Sequence, residues 1–317
     1  MKPDISFGGI TASYGAKAQG YFKVLDTGYA MPVTVINGAK EGKTILITSG
    51  IHGGEYLCIQ TAIELAENID PSAVSGQIVI IHPVNLQAFY ARISYFVPED
   101  SKNINRMFPG KKDGTLSEKI AYVISTEFQA KADYYFDLHG GDLHEALPPY
   151  VCYPGIGDRA VQFASKNIAE ILSMNYIVKS ESPSRAFVSA ALQGIPSLMI
   201  EMGGCGLWSV QEVEKYKGKI INIIKYLKVM SGKHDEPKSR AIELSSTKTS
   251  ISHCDGCWYP LVKLGDVINK GQKIGEIKDV FGKKLEDICA ECNGIVIFLV
   301  VSLAVSKGDP LLSYGVK

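Results

Sequence analysis

The chain has 317 residues, with 33 Lys plus Arg against 33 Asp plus Glu. The resulting absence of net charge excludes the basic surplus that draws proteins onto nucleic acid or an anionic membrane. Hydrophobic residues make up 46% and charged residues 21%, which excludes a disordered chain and leaves a globular protein of one large core or two domains.

Residues 1–230 alternate strand-like and helix-like segments. The opening MKPDISFGG has no apolar signal core, and the seven cysteines are odd in number. Reduced thiols in a cytoplasm are therefore expected. YFKVL and VTVIN read as opening strands, and TILITS (44–49) as a buried strand. A helix is expected over 55–68, where Leu57, Ile59, Ala62, Ile63 and Ala66 have helical spacing and Pro71 follows the end. QIVIIHP (77–83) is the next strand, and 117–130 the next helix, with Ile120, Val123, Ile124 and Phe128 on one face. YYFDLH (134–139) and SLMIE (197–201) read as strands, and 159–172 and 210–230 as helices. Apolar strands alternating with helices predict an α/β fold, with a mixed, mostly parallel sheet covered on both faces.

The pattern changes near residue 231. SGKHDEPKSR reads as a linker. Short β-rich pieces follow, and two of them, 255–271 and 293–310, each start at an Asx-Gly turn and end near a Gly-Asp. Two domains are expected, 1–232 and 233–317, the second an all-β unit that resembles the barrel-sandwich hybrid of lipoyl and biotinyl domains. It lacks a Met-Lys-Met or Asp-Lys-Ala hairpin tip, so a structural cap is expected rather than a swinging carrier. The longest apolar run, 295–305, is interrupted by Ser302; it is too short to span a bilayer and is expected as buried strand.

The chemistry-bearing residues sit at strand ends. TILITS runs into SGIHGGE, which places His52 and Glu55 between a strand and the following helix, where open α/β sheets carry their sites. A catalytic zinc takes three protein ligands and keeps a fourth position open. Alone, His-x-x-Glu is weak evidence and reads more readily as a polar turn. His139 closes a second apolar strand, with Asp137 beside it as a candidate to orient an imidazole. Glu201 closes a third, and a carboxylate after four apolar residues is costly to bury without a partner. Between them lies NINRMFPG, where Arg106 can fork onto a carboxylate and Asn105 can add a donor; Arg92 is a second cation in that stretch.

HGGE, NINRMFPG, DLHGG and EMGG occur in the order and rough spacing of the succinylglutamate desuccinylase/aspartoacylase family of zinc metallocarboxypeptidase-like enzymes, which residues 40–230 resemble. The resemblance implies His52, Glu55 and His139 as zinc ligands and Glu201 as the base that takes a proton from water and gives it to the leaving amine. It implies Arg92 as the group that polarises the scissile carbonyl, and Asn105 and Arg106 as the holders of the substrate carboxylate. The expected activity is hydrolysis of a small, carboxylate-bearing N-acylated amino acid or related amine, with a carboxypeptidase acting on short peptides as the alternative. A homo-oligomer is compatible with either. Aspartoacylases carry a further arginine about ten residues before the catalytic glutamate, and here that position is Ala191. Arg185 is the nearest arginine and a candidate substrate contact. A dicarboxylic acyl group is therefore in doubt, and a simple acyl group fits at least as well.

Two CxxC pairs, Cys254/Cys257 and Cys289/Cys292, have the spacing of a structural zinc site but also flank the turns of the β-repeat. Either a second zinc or simple hairpin positions are open, and a redox pair is a third reading. His144 and Glu145 are candidates for a pocket rim. His82, before Pro83, is expected as a hydrogen-bonded strand-end histidine, and Cys58 as core.

Overall fold

The computed structural model describes residues 4–237 and 240–317; positions 238 and 239 of the expected linker lie outside the described residues. A nine-stranded mixed sheet forms the larger part. Its strands are β1 (Lys17–Lys23), β2 (Ala30–Asn37), β3 (Lys40–Ser49), β4 (Ser75–Ile81) and β5 (Tyr134–His139). They continue with β6 (Tyr150–Pro154), β7 (Tyr176–Ser180), β8 (Ser197–Glu201) and β9 (Ile242–Leu244). Their order across the sheet is β9-β7-β6-β8-β5-β3-β4-β2-β1. Parallel pairs run from β8 through β5 and β3 to β4. β6 runs against β8.

The central strands are buried on both faces, which is why they read as continuous apolar runs rather than alternating ones. One face packs on α1 (Tyr56–Asn68), α4 (Arg159–Ile171) and α6 (Val210–Tyr226) through Leu57, Ile59, Ile168, Val213 and Ile220. The other packs on α3 (Leu116–Val123) and α5 (Ala186–Leu192) through Ile120, Phe187 and Val188. The short α2 (Leu86–Ala91) follows β4. The helix expected over 117–130 changes character after α3: Ile124–Phe128 form a π-helical turn. Thr126 donates to the Tyr122 carbonyl, and Phe128 packs between Phe7 and Phe22.

His82 directly follows β4 and is hydrogen-bonded as expected, with Nε2 2.9 Å from Thr34 Oγ1. Burial holds the ring neutral and pushes its pKa down to about 4. The unfolded chain titrates this group near 6.5 and binds the proton first, so stability is full near neutrality and falls as pH drops from about 6.5 toward 4. The loss from this residue is at most about 3 kcal/mol. Urea midpoints measured from pH 7 to pH 4 are expected to fall, with a shallower slope in His82→Gln.

The C-terminal residues build two antiparallel sheets. Ser246–Ile251, Pro310–Val316, Gly294–Val300 and Val267–Ile268 form one; Lys284–Cys289, Lys273–Lys278, Gly256–Pro260 and Ala304–Val305 form the other. Trp258, Ile268, Ile277, Val296, Leu311 and Tyr314 fill the space between them. The apolar run from 295 is strand only to Val300; Val301 and Leu303 are exposed. Two seams join this unit to the large sheet. β9, which lies beyond residue 232, pairs in parallel with β7. The two-residue strand Glu145–Ala146 pairs with Val300 and Leu299.

Candidate active site

β3, β5 and β8 lie side by side, so the residues at their C-terminal ends meet. In register, Glu201 stands opposite His139 on one side and Tyr150 on the other. Tyr216 of α6 ties the ends of β5 and β8 together, donating to the carbonyls of Ile200 at 2.6 Å and His139 at 3.1 Å.

After β3 the chain turns through His52-Gly53-Gly54-Glu55 into α1. A Cβ on Gly53 would stand 2.3 Å from the Phe89 nitrogen, and one on Gly54 would stand 2.0 Å from Asp142 Oδ1. Only glycine allows the loop to pack this closely. Glu55 occupies the cap position of α1, but its side chain makes no capping bond. Its carboxylate turns instead to two imidazoles. Oε1 lies 2.7 Å from His52 Nδ1 and 3.2 Å from His139 Nδ1.

The far nitrogens of both rings are engaged. His52 Nε2 is 3.1 Å from Asn103 Oδ1, which also accepts from the Asn105 backbone N–H, so the imidazole is the donor. His139 Nε2 is 2.9 Å from Asp137 Oδ2. Asp137 is fully buried and accepts a second bond from Thr48 at 2.6 Å. With each Nε2 engaged by an acceptor behind the ring, it is Nδ1 of both rings that faces Glu55, and one ligand atom from each of the three residues lies within 4.8 Å of the others. Burial would lower the two histidine pKa values, but Glu55 and, for His139, Asp137 raise both. Burial would raise Glu55, but His139 and His52 bring it down to about 2. Two imidazole nitrogens and an ionised carboxylate, with the rings oriented by acceptors behind them, are a donor set suited to a metal ion.

This group opens into a cavity of about 490 Å³. Glu201 lines it and is 8% exposed. Burial, with the charges of Glu55 and Glu145 and against those of His139 and Arg185, pushes its pKa up to about 8. Asn105, Arg106 and Arg185 also line it. Asn105 and Arg106 stand on a short turn, Ile104–Arg106, that Asn103 caps. Asn105 Oδ1 accepts from the Ala186 N–H at 2.9 Å, which docks this turn onto the start of α5, beside Arg185. Burial and the charge of Arg185, against that of Glu201, lower the Arg106 pKa to about 10. Arg185 Nε is buried and has no hydrogen-bond partner among the described residues. Ala191 is buried inside α5.

Arg92 stands apart from its expected place. It is exposed and does not line the cavity. It ends α2 in the left-handed conformation, with φ of 55°. Tyr95, three residues later, lines the cavity instead, with its ring centroid 5.8 Å from that of His52. Tyr95 lies in a loop without periodicity, and only its position between known motifs could have flagged it. Of the two rim candidates, Glu145 lines the cavity, whereas His144 is exposed outside it. The outer wall is hydroxyl-rich and comes partly from the C-terminal unit: Ser245, Ser246, Thr247, Thr249 and Ser313.

Of the readings left open for the two CxxC pairs, the structure does not support a second metal site. All seven cysteines are free, and His52, Glu55 and His139 form the only group of three or more ligand-type side chains close enough to hold a metal among the described residues. Cys257 pairs with Lys278 and Cys289 with Lys273, on opposite sides of the strand Lys273–Lys278. They lie five positions apart along it, roughly 16 Å. The repeat places the two CxxC segments at separate ends of the sheet.

A model of the succinylglutamate desuccinylase/aspartoacylase catalytic domain matches residues 41–227. N-alpha-acetyl-L-2,4-diaminobutyric acid deacetylase of Halomonas elongata is 28% identical over 291 residues, covering 89% of this chain and 84% of that one. Succinylglutamate desuccinylase of Vibrio vulnificus is 23% identical over 235 residues, covering 68% of this chain and 64% of that one. The product-bound structure of the ectoine utilization protein EutE (DoeB) from Ruegeria pomeroyi superposes with a TM-score of 0.84 at 25% identity, over 95% of each chain. A succinylglutamate desuccinylase/aspartoacylase structure from Rhodobacter sphaeroides gives 0.83 at 25% identity, over 99% of this chain and 98% of that one.

Proposed function

Because the chain belongs to the succinylglutamate desuccinylase/aspartoacylase family, we propose that it hydrolyses the amide bond of a small N-acylated amino acid with one zinc ion. The observation that carries this reading is the convergence of His52, Glu55 and His139 in one cavity with Glu201. These three residues would hold the zinc; two imidazoles and a carboxylate are a common catalytic zinc set. When bound, the ion supplies Lewis acidity to the scissile carbonyl and makes water easier to deprotonate.

Glu201 is the base in this proposal. Its carboxylate takes the proton of the attacking water and returns it to the leaving amine. Burial beside Glu55 and Glu145 makes it a stronger base than an exposed carboxylate. Arg106 and Arg185 have no carboxylate partner among the described residues, and they hold the substrate carboxylate. Asn105, fixed by the Ala186 N–H, sets the position of that clamp. With Ala191 buried in α5, a short acyl group such as acetyl is favoured, as in the name of the Halomonas relative.

The test is a hydrolysis panel of N-acetyl amino acids, N-succinyl amino acids and dipeptides, followed by release of the free amine, with metal measured on the same sample. Turnover of N-acetyl amino acids with about one zinc per chain is expected. Preference for dipeptides, or no turnover of any N-acyl amino acid by zinc-loaded protein, sinks the proposal. Asp137→Asn is expected to weaken zinc affinity about 10- to 100-fold, because it removes the charge that orients His139. Competition with a chromophoric chelator measures this directly.

A further inference from the structure

We propose that Glu145 reads a positively charged side chain on the substrate, so that N-acylated diamino acids are preferred over N-acylated amino acids with neutral side chains. This deepens the deacylase reading and rests on it.

Glu145 is 5% exposed, yet it lines the cavity. Its carboxylate accepts from the Tyr95 hydroxyl at one oxygen and from the Asp142 N–H, at 2.8 Å, at the other. A carboxylate has about four acceptor positions, so half of its capacity is left for a ligand. No Lys, Arg or His among the described residues forms an ion pair with it. A buried carboxylate without a counter-ion is expensive. The cost shows in its affinity for protons: burial, with the charges of Asp142 and Glu55 and against the Tyr95 bond, pushes its pKa up to about 7.

The cavity also holds charge of the opposite sign without a carboxylate partner. Among the described residues, Arg106 Nη1 donates only to the Asn105 carbonyl and Arg185 Nη1 only to the Met199 sulfur. Glu201 lines the same cavity and feels the charges of both Glu145 and Arg185. The other cation and anion in the lining, Lys179 and Glu181, pair with each other at 2.8 Å near the surface and cancel. Besides the proposed base Glu201, the cavity has two guanidinium groups without a carboxylate partner among the described residues and the buried, cation-free carboxylate of Glu145, which makes it complementary to a molecule carrying a carboxylate and an ammonium. An N-acylated diamino acid has both. A neutral side chain in the same place would leave Glu145 desolvated and unmatched, which is how a site rejects an analogue lacking the expected polar group.

The position is held rigidly enough to discriminate. Glu145 pairs in a strand with Val300, and its carbonyl accepts from the Cys205 N–H. These bonds fix the backbone at Glu145, and the Tyr95 hydroxyl and Asp142 N–H fix its carboxylate.

The test compares kcat/KM for Nα-acetyl-2,4-diaminobutyrate and Nα-acetylornithine with that for N-acetyl-2-aminobutyrate and N-acetylnorvaline. The wild type is expected to prefer the cationic members by at least about 30-fold. In Glu145→Gln that ratio is expected to collapse to within about threefold, whatever the absolute rates. Calorimetry gives a second readout: free 2,4-diaminobutyrate should bind the wild type at least about tenfold more tightly than 2-aminobutyrate, and the variant equally. Glu145→Asp retracts the carboxylate by one methylene and should shift preference toward ornithine, which covers the case of a poorly folded Gln variant. If the wild type deacetylates both sets alike, the inference falls and the deacylase stands. If the preference survives in Glu145→Gln, another group reads the charge. If no N-acyl amino acid is hydrolysed, the deacylase reading falls and takes this one with it.

Discussion

Glu201→Gln is expected to lower kcat roughly 10²- to 10⁴-fold, the range for loss of a general acid–base group. Zinc content should remain at the wild-type level, because the amide keeps the shape of the side chain and Glu201 is not among the three residues that converge on a metal position. Stability separates this outcome from simple damage. Burial beside other acids raises the Glu201 pKa to about 8, so the folded protein carries this charge at a cost. Gln removes the charge without opening a cavity, and the melting temperature should equal or exceed that of the wild type. A variant that melts normally, holds zinc and still turns over at the wild-type rate would remove Glu201 from the mechanism.

Stripping the metal is expected to have an effect of similar size. Dialysis against a strong chelator should reduce hydrolysis by at least about 10³-fold, given the several kcal/mol that a Lewis-acid metal supplies. One equivalent of zinc per chain should restore it. The melting temperature should drop on stripping and recover on reconstitution, since a ligand that binds only the folded state stabilises it by mass action. His139→Ala should mimic the stripped state even with zinc present, because it removes one of three donor groups. A restored activity that needs two equivalents would require a second site, which the separated cysteines do not provide.

Much of the inner site was legible because its residues end apolar strands. His139 and Glu201 each close a run that only a buried central strand explains, and parallel pairing brings such ends together. The family match over residues 41–227 agrees with the resemblance carried by four short motifs. The cavity walls were much less legible. Tyr95 and Asn103 sit in irregular chain, where type and spacing do not tell which side chains turn inward. Arg92 shows the converse: a suitable residue type near the right motif, turned outward by a left-handed backbone position. Ser245, Ser246, Thr247 and Ser313 carry no chemical signal of their own. They became cavity wall only through long-range pairing, with β9 on the sheet edge and Val300 against Glu145.

Those two seams bear on how the protein is made. Synthesis proceeds from the N-terminus, and the residues proposed for metal binding and base catalysis are all present once position 201 has emerged. Pro310 and Ser313, which also line the cavity, follow more than a hundred residues after Glu201. A nascent or truncated chain ending near residue 232 therefore has every reacting group but an open cleft, an unpaired edge at β7 and an unpaired Glu145–Ala146 strand. The reacting groups are therefore made well before the wall that encloses them, and the pocket closes only when residues up to Ser313 have paired onto the large sheet.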